Sequence, residues 1–408
     1  MAVNAGAPEK TARGPSRGQP RGTNWYKPAG LAALAFSVVL AYQNCAPPLD
    51  RAHESSLASS EDGFAAKPVL NSKYHVTSYS SREGAMSCAV VEPEQSVRCS
   101  GNFFFSLFSK PPAKAFESVE IEGSAGAVKV VNSHYYGCAL MADKKVKCWG
   151  SNNLGQLGSD QPAIRLEARE VPGLANVAEI VTAVNTACAL VQDGTVWCWG
   201  DNSVGLVGVD TETKNYSEPQ QVLGVSNATQ LSVGSNHACV RLKNNVVMCW
   251  GDNGFGQVGH DVESVSRRPV QVAGIDDAAE VSAGYGTSFT CARLNSGKVM
   301  CWGDNRYGQL GDGTNTNSSR PVEVSRLAAA KQISSGAHSS CAVDVWGKVF
   351  CWGAAGMPTG YGKTPVEIPT RDLIENLQAT QFGFVTVKAG SVLHYHGAKG
   401  DLYQAWEF

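Results

Sequence analysis

Twelve of the thirteen cysteines in this 408-residue chain fall into six pairs of nearly constant spacing. The pairs are Cys88/Cys99, Cys138/Cys148, Cys188/Cys198, Cys239/Cys249, Cys291/Cys301 and Cys341/Cys351. Five have members ten residues apart, one has eleven, and the pairs recur about every 50 residues. A period of that length marks a stack or ring of supersecondary units. Cysteines locked to the period imply one disulfide inside each unit, and so an oxidising compartment. Zinc would call for short-spaced pairs such as Cys-x-x-Cys, which the sequence lacks, so neither metal nor cofactor is expected.

The segment between paired cysteines shows why they pair. In Cys188-Ala-Leu-Val-Gln-Asp-Gly-Thr-Val-Trp-Cys198, a three-residue loop Gln192-Asp193-Gly194 leaves Val191 facing Thr195. Gly194 then takes the left-handed conformation of a bulged hairpin. Counting outward sets Cys188 opposite Cys198 at a non-hydrogen-bonded position, where side chains approach most closely and Cα atoms stand about 4.5 Å apart. Asn245, Gly297 and Gly347 hold the same loop position and tolerate positive φ, whereas Lys144 departs from the pattern. The eleven-residue spacing of the first unit needs a four-residue loop, Glu92-Pro93-Glu94-Gln95, which keeps Cys88 opposite Cys99.

Aligned on the second cysteine, the units read Cys148-Trp-Gly-Ser-Asn-Asn-Leu-Gly-Gln-Leu-Gly, Cys198-Trp-Gly-Asp-Asn-Ser-Val-Gly-Leu-Val-Gly, Cys249-Trp-Gly-Asp-Asn-Gly-Phe-Gly-Gln-Val-Gly and Cys301-Trp-Gly-Asp-Asn-Arg-Tyr-Gly-Gln-Leu-Gly. A shorter echo is Val-Phe-Cys351-Trp-Gly. Short apolar runs between Gly, Asn and Asp are the pattern of strands and turns. The motif resembles the repeat of the regulator of chromosome condensation family over about 340 residues. That resemblance implies an all-β fold, a seven-bladed β-propeller with four strands per blade. Six blades carry cysteines. The tail Leu393 to Trp406 reads as a seventh hairpin, with Ala405 in the cysteine's place. Its missing fourth strand is expected from Pro68-Val69-Leu70, which echoes the Pro269-Val-Gln-Val272 pattern of a fourth strand. An N-terminal strand would thus close the ring and remove the open sheet edges.

Residues 1–44 carry Lys10, Arg13, Arg17, Arg21 and Lys27 ahead of an apolar run from Leu31 to Ala41. That run is too short to span a bilayer, and the pattern is that of an export signal. Cys45, the cysteine without a partner, resembles the lipid-acceptor residue of bacterial lipoproteins. Tyr42 and Asn44 depart from the usual residues before it. Residues 45–66, with Pro47, Pro48 and several serines, read as a flexible tether, and 67–408 as the propeller. The expected location is the cell envelope, at the outer membrane or cell surface, with the lipid as sole membrane attachment. A net charge of −2 gives no electrostatic reason to bind nucleic acid.

Other features read as structural. Asp201-Asn202, Asp252-Asn253 and Asp304-Asn305 follow Trp-Gly in separate units, where Asx side chains stabilise turns. Trp149, Trp199, Trp250, Trp302 and Trp352 recur in register and suit packing between blades. His134, His237 and His338 stand two to four residues before a cysteine and suit packing roles too. His394 and His396 share a strand face, but two ligands make a poor metal site. Gly356 to Thr364 imitates a phosphate loop with one residue too many and a proline where a helix should begin. The first unit breaks pattern with Phe103, Phe104, Phe105 and Phe108, read as core residues or else a partner-binding patch.

No nucleophile motif or carboxylate pair stands out, so no enzymatic activity is expected. The sequence therefore describes a monomeric, surface-tethered scaffold that binds another macromolecule, most simply a protein, through loops on one face. Those loops include Ser159 to Glu170, Val209 to Gln220 and His260 to Arg268. The alternatives are an extracytoplasmic hydrolase or lyase acting on cell-wall polymer, and a purely structural envelope lipoprotein.

Overall fold

Each cysteine-bearing repeat folds into a four-stranded antiparallel sheet. The third is representative, with strands Val177–Thr182, Thr186–Val191, Val196–Asp201 and Asn215–Gln221 hydrogen-bonded in chain order. The structure, a computed structural model, describes residues 76–82, 86–100, 118–160, 163–261, 264–286, 288–354, 362–369, 376–379, 383–388, 391–396 and 401–405. Among them seven four-stranded sheets follow one another along the chain. Sheets 1 to 6 obey the repeat and are the blades of a propeller-like fold.

The central hairpin of each blade forms as its loop chemistry dictates. Val191 N donates to Thr195 O, and the alternation of pairs then leaves Cys188 and Cys198 opposite each other without hydrogen bonds. The other five pairs face one another in the same register: Cys88 and Cys99, Cys138 and Cys148, Cys239 and Cys249, Cys291 and Cys301, Cys341 and Cys351. In all six the sulfurs are joined and the Cα atoms lie 4.1 Å apart, closer than the spacing expected of an unlinked pair. The bulge residue is left-handed in the three-residue loops: φ is 83° at Gly194 and Gly347 and 66° at both Asn245 and Lys144. Lys144 thus obeys the geometry its side chain resists, held by the register of its neighbours.

Packing between blades explains the rest of the motif. The second strands are buried from both sides, while the fourth are only partly covered. Each tryptophan after the second cysteine of sheets 2 to 6 is fully buried, and four reach back to the preceding blade. Trp199 Nε1 donates to Gln156 O (3.0 Å), Trp250 to Leu206 O (2.8 Å), Trp302 to Gln257 O (2.9 Å) and Trp352 to Gln309 O (2.9 Å). Those carbonyls lie in the Gly-Gln-Leu-Gly run. Its last glycine leaves room for the indole: a Cβ on Gly158 would stand 2.5 Å from Val171 Cγ1 and 3.3 Å from Trp199 Nε1.

The first strands are innermost, each against the first strand of the next sheet. One register position stitches them together. Glu179 Oε2 accepts from Leu231 N (3.3 Å), and Gln230 accepts from Val281 N (3.0 Å) and donates to Val281 O (3.1 Å). Glu280 Oε2 accepts from Ile333 N (3.2 Å), and Gln332 Nε2 donates to Leu377 O (3.3 Å). Burial pushes the Glu280 carboxyl upward, opposed by its contacts with Arg293 and Ile333 N.

The unit of Cys351 has a motif that is only a short echo ending at Gly353. Its blade is nonetheless complete: Cys351 faces Cys341 on one side and, on the other, Val366 of a fourth strand Gly362–Ile368. Backbone pairing builds that strand, so it forms without the usual Asn and Gly-Gln-Leu-Gly sequence ahead of it. Two expectations change. The first concerns the seventh sheet, which draws its four strands from Asn376–Ala379, Gly383–Lys388, Ser391–His396 and Asp401–Ala405. Leu393 does face Ala405, but in the third and fourth strands instead of the second and third. With no cysteine pair to mark the central hairpin, the motif count slips by one strand. The described residues therefore show no N-terminal strand in that sheet; Pro68, Val69 and Leu70 lie outside them. Second, the fourth strands start earlier than the loop reading allowed, at Ile164, Asn215 and Val265. Their partly polar sequences pass for loop because only one face is covered. Residues 1–66, including Cys45, and Phe103, Phe104, Phe105 and Phe108 likewise lie outside the described residues.

Candidate functional site

In an up-down-up-down sheet, the loop between strands one and two and the loop between strands three and four emerge at the same end. Asparagine builds the latter loop. Asn202 Oδ1 accepts from Val207 N (3.0 Å) while its Nδ2 donates to Thr213 O (2.8 Å). Asn253 Oδ1 accepts from Val258 N and Asn305 Oδ1 from Leu310 N, each at 3.0 Å. Asp201 Oδ1 accepts from Ser203 N (2.8 Å). The Asp-Asn pairs therefore spend their polar atoms on the turn. Among the described residues no three His, Cys, Asp or Glu side chains gather as metal ligands.

This rigid turn presents two variable residues before its first glycine: Asn153-Leu154, Ser203-Val204, Gly254-Phe255 and Arg306-Tyr307. In sheets 4 and 5 they form a cluster. Arg306 donates from Nε to Asp304 Oδ1 (2.9 Å) and from Nη2 to Asp304 Oδ2 (3.0 Å), and its guanidinium lies 4.6 Å from the centre of the Phe255 ring. The Asp304 side chain is 1% exposed and that of Arg306 57%, so a buried carboxylate holds an exposed cation in place. Asp304 in turn raises the guanidinium pKa. Tyr307, 47% exposed, sets its ring 4.7 Å from that of His338, which comes from the first loop of sheet 6. Burial lowers the His338 pKa; Asp304 opposes the shift and Arg306 adds to it.

At the same end, Tyr285 Oη lies 2.8 Å from His134 Nδ1, with the rings stacked 5.7 Å apart. The contact joins the first loops of sheets 2 and 5. The sheet 5 loop has the reach because Ala283 to Cys291 is two residues longer than Val233 to Cys239.

The three histidines read as packing residues behave differently. His134 meets a distant tyrosine and His338 flanks the exposed cluster. His237 is buried whole, with Nε2 2.8 Å from Thr290 Oγ1. Thr290 spends its proton on Gln257 O (3.0 Å), so His237 donates from Nε2. Burial lowers its pKa to about 4. Sequence reading passed over Arg306 and Tyr307 as unspecified motif positions. The available signal was variation at those positions within an otherwise fixed loop.

Residues 106–405 match the RCC1-like domain family, and the chain belongs to it. This is a family of propellers that commonly mediate protein binding or act as scaffolds. Human E3 ubiquitin-protein ligase HERC2 is 29% identical over 140 residues, 34% of this chain and 3% of the relative. The Ultraviolet-B receptor UVR8 of Arabidopsis thaliana is 32% identical over 126 residues, 30% of this chain and 29% of the receptor. The chain thus spans under a third of either relative. Among solved structures, human WBSCR16 superposes with a TM-score of 0.66 at 16% identity, covering 78% of this chain and 87% of that one. Yeast RCC1 (Prp20), in its complex with Kap60, gives 0.63 at 18% identity, covering 75% and 78%. At such identities these structures speak for the fold alone.

Proposed function

We propose that this chain is a non-enzymatic propeller scaffold of the bacterial envelope. In this reading it is anchored through lipidated Cys45 and binds a protein through the loops around Arg306 and Tyr307. The observation that carries the reading is that exposed pair on a fixed turn, backed by Asp304, Phe255 and His338. Tyrosine and arginine dominate binding energy at protein interfaces when pre-positioned in this way. The joined cysteines support an oxidising location, and the family supports a binding role. The seventh sheet is read as a seventh blade closing the ring. In support, Gln332 ties sheet 6 to it, and the first strand of sheet 1 lies against its third strand.

The test is affinity capture from envelope extracts with the parent chain and with Tyr307→Ala and Arg306→Ala. A partner whose affinity falls by about thirtyfold in either variant supports the reading. Capture indifferent to both changes, or turnover of cell-wall polymer by the purified chain, refutes it. For the anchor, Cys45→Ala or globomycin should abolish acylation and release the chain from membranes. A mature N-terminus elsewhere, without acyl groups, refutes that part.

A further inference from the structure

The opposite end of the propeller carries the tips of the six disulfide hairpins. Five are polar: Glu92-Pro-Glu-Gln95, Ala142-Asp-Lys144, Gln192-Asp-Gly194, Lys243-Asn-Asn245 and Asn295-Ser-Gly297. The sixth, between Cys341 and Cys351, is Val345-Trp346-Gly347, with Val345 55% and Trp346 67% exposed. The tip is rigid. Asp344, itself buried, accepts from Trp346 N and Lys348 N through Oδ1, both at 2.9 Å. Gly347 N closes onto Asp344 O (3.0 Å).

What surrounds the tip gives it a chemical character. Val345 N donates to Ala329 O, so the connection Ser325–Ala329 lies alongside. Arg326 on that connection and Lys331 just beyond it are exposed, and neither makes an ion pair among the described residues. Lys348 pairs with Glu367. A protruding tryptophan and valine flanked by two exposed cations match the headgroup region of an anionic bilayer. There an indole lies at the boundary of acyl chain and water while cations meet lipid phosphates.

We infer that the Val345–Trp346 hairpin tip is a membrane-interface contact for anionic lipid. It would orient the propeller with its Arg306–Tyr307 face toward solvent. The inference rests on the envelope location proposed above. A tether raises the local lipid concentration, so a weak contact suffices.

The experiment uses the full chain carrying Cys45→Ala, so that no acyl group contributes. Sedimentation is measured with vesicles of phosphatidylcholine alone and of phosphatidylcholine with an equal part of phosphatidylglycerol. Binding through the apolar run Leu31 to Ala41 would be common to all variants and cancels in their comparison. Trp346→Ser should lower partition onto the anionic vesicles about tenfold, the order expected for losing one interfacial aromatic anchor. Arg326→Gln with Lys331→Gln should lower it on anionic vesicles only, and unchanged circular dichroism would show that the variants fold. Equal partition of parent and Trp346→Ser overturns the inference. So does a photo-crosslinker at position 345 that labels an envelope protein and no lipid. Neither result touches the capture experiment at Tyr307 or the mapping of Cys45, so the readings fail separately.

Discussion

Sheets 2 and 3 place a tryptophan at the same point and treat it differently. Trp149 and Trp199 are both fully buried behind the second cysteine of their hairpins. Trp199 Nε1 donates to Gln156 O in sheet 2, whereas Trp149 Nε1 has no hydrogen-bond partner among the described residues. The upstream segment that would face it, Phe103 to Phe108, lies outside the described residues. The indoles of sheets 3 to 6 show that the repeat is not a self-contained blade: half of its motif is addressed to the neighbour.

The largest effect should come from deleting the indole. Trp199→Ala should cost about 3–5 kcal/mol in denaturant unfolding, from lost burial and a cavity between blades. A cost under about 1 kcal/mol would show that the blades do not depend on this contact.

Acid should find the next weak point, one that distinguishes sheet 4 from its neighbours. His237 occupies a position held elsewhere by Tyr136, Thr186, Phe289 and Ser339. Its pKa falls from 6.5 to about 4 on folding, so protonation favours the unfolded chain. The associated stability is fully present above pH 6.5 and is lost as pH falls toward 4, roughly 3 kcal/mol in all. His237→Gln should flatten that stretch of the stability–pH curve; an unchanged slope would assign it to other groups.

Removing a disulfide tests whether the first sheet differs from the third in chain entropy as well as in packing. The two hairpins close loops of nearly equal size, with separations of 11 and 10. Replacing both cysteines by alanine should cost each about 2.7 kcal/mol on the entropic account. Clearly unequal costs would mean that packing around the sulfurs dominates. Peptide mapping of the unreduced protein should show only within-unit links.

The tryptophan comparison sharpens with a gentler change. Trp199→Phe leaves the Gln156 carbonyl without its donor and should cost about 1–3 kcal/mol more than Trp149→Phe, which removes an unpartnered donor. Equal costs would mean that Trp149 Nε1 is satisfied after all. The smallest expected effect is a gain. Lys144→Gly relieves a left-handed lysine at φ 66° and should stabilise by about 1 kcal/mol.

Much of the architecture was legible because it depends on local counting. Loop length, a residue tolerant of positive φ and strand alternation set Cys188 against Cys198, and Cys341 against Cys351, before any tertiary contact is considered. The seventh sheet was misread by one strand because it lacks the cysteine pair that supplies the count. The fourth strands were read too late because their exposed faces carry loop-like residues, such as Asn215 and Glu218. At the candidate site the motif glycines and asparagines were legible, and the reactive-looking surface was not. Phe103 to Phe108 drew attention through crowding in sequence. Arg306, Tyr307, Phe255 and His338 come from three repeats and meet only when adjacent blades pack.

The sequence by itself determined the repeat, the hairpin register and the pairing of cysteines, since each follows from distances within about a dozen residues. Tertiary structure alone decided which variable positions become a surface. It set Arg306 over Phe255, Tyr307 beside His338 and Tyr285 against His134, and it left Trp149 without the carbonyl that Trp199 has. Those outcomes depend on residues about 30 to 150 positions apart, whose proximity is fixed by how blades stack and by no local preference of the chain.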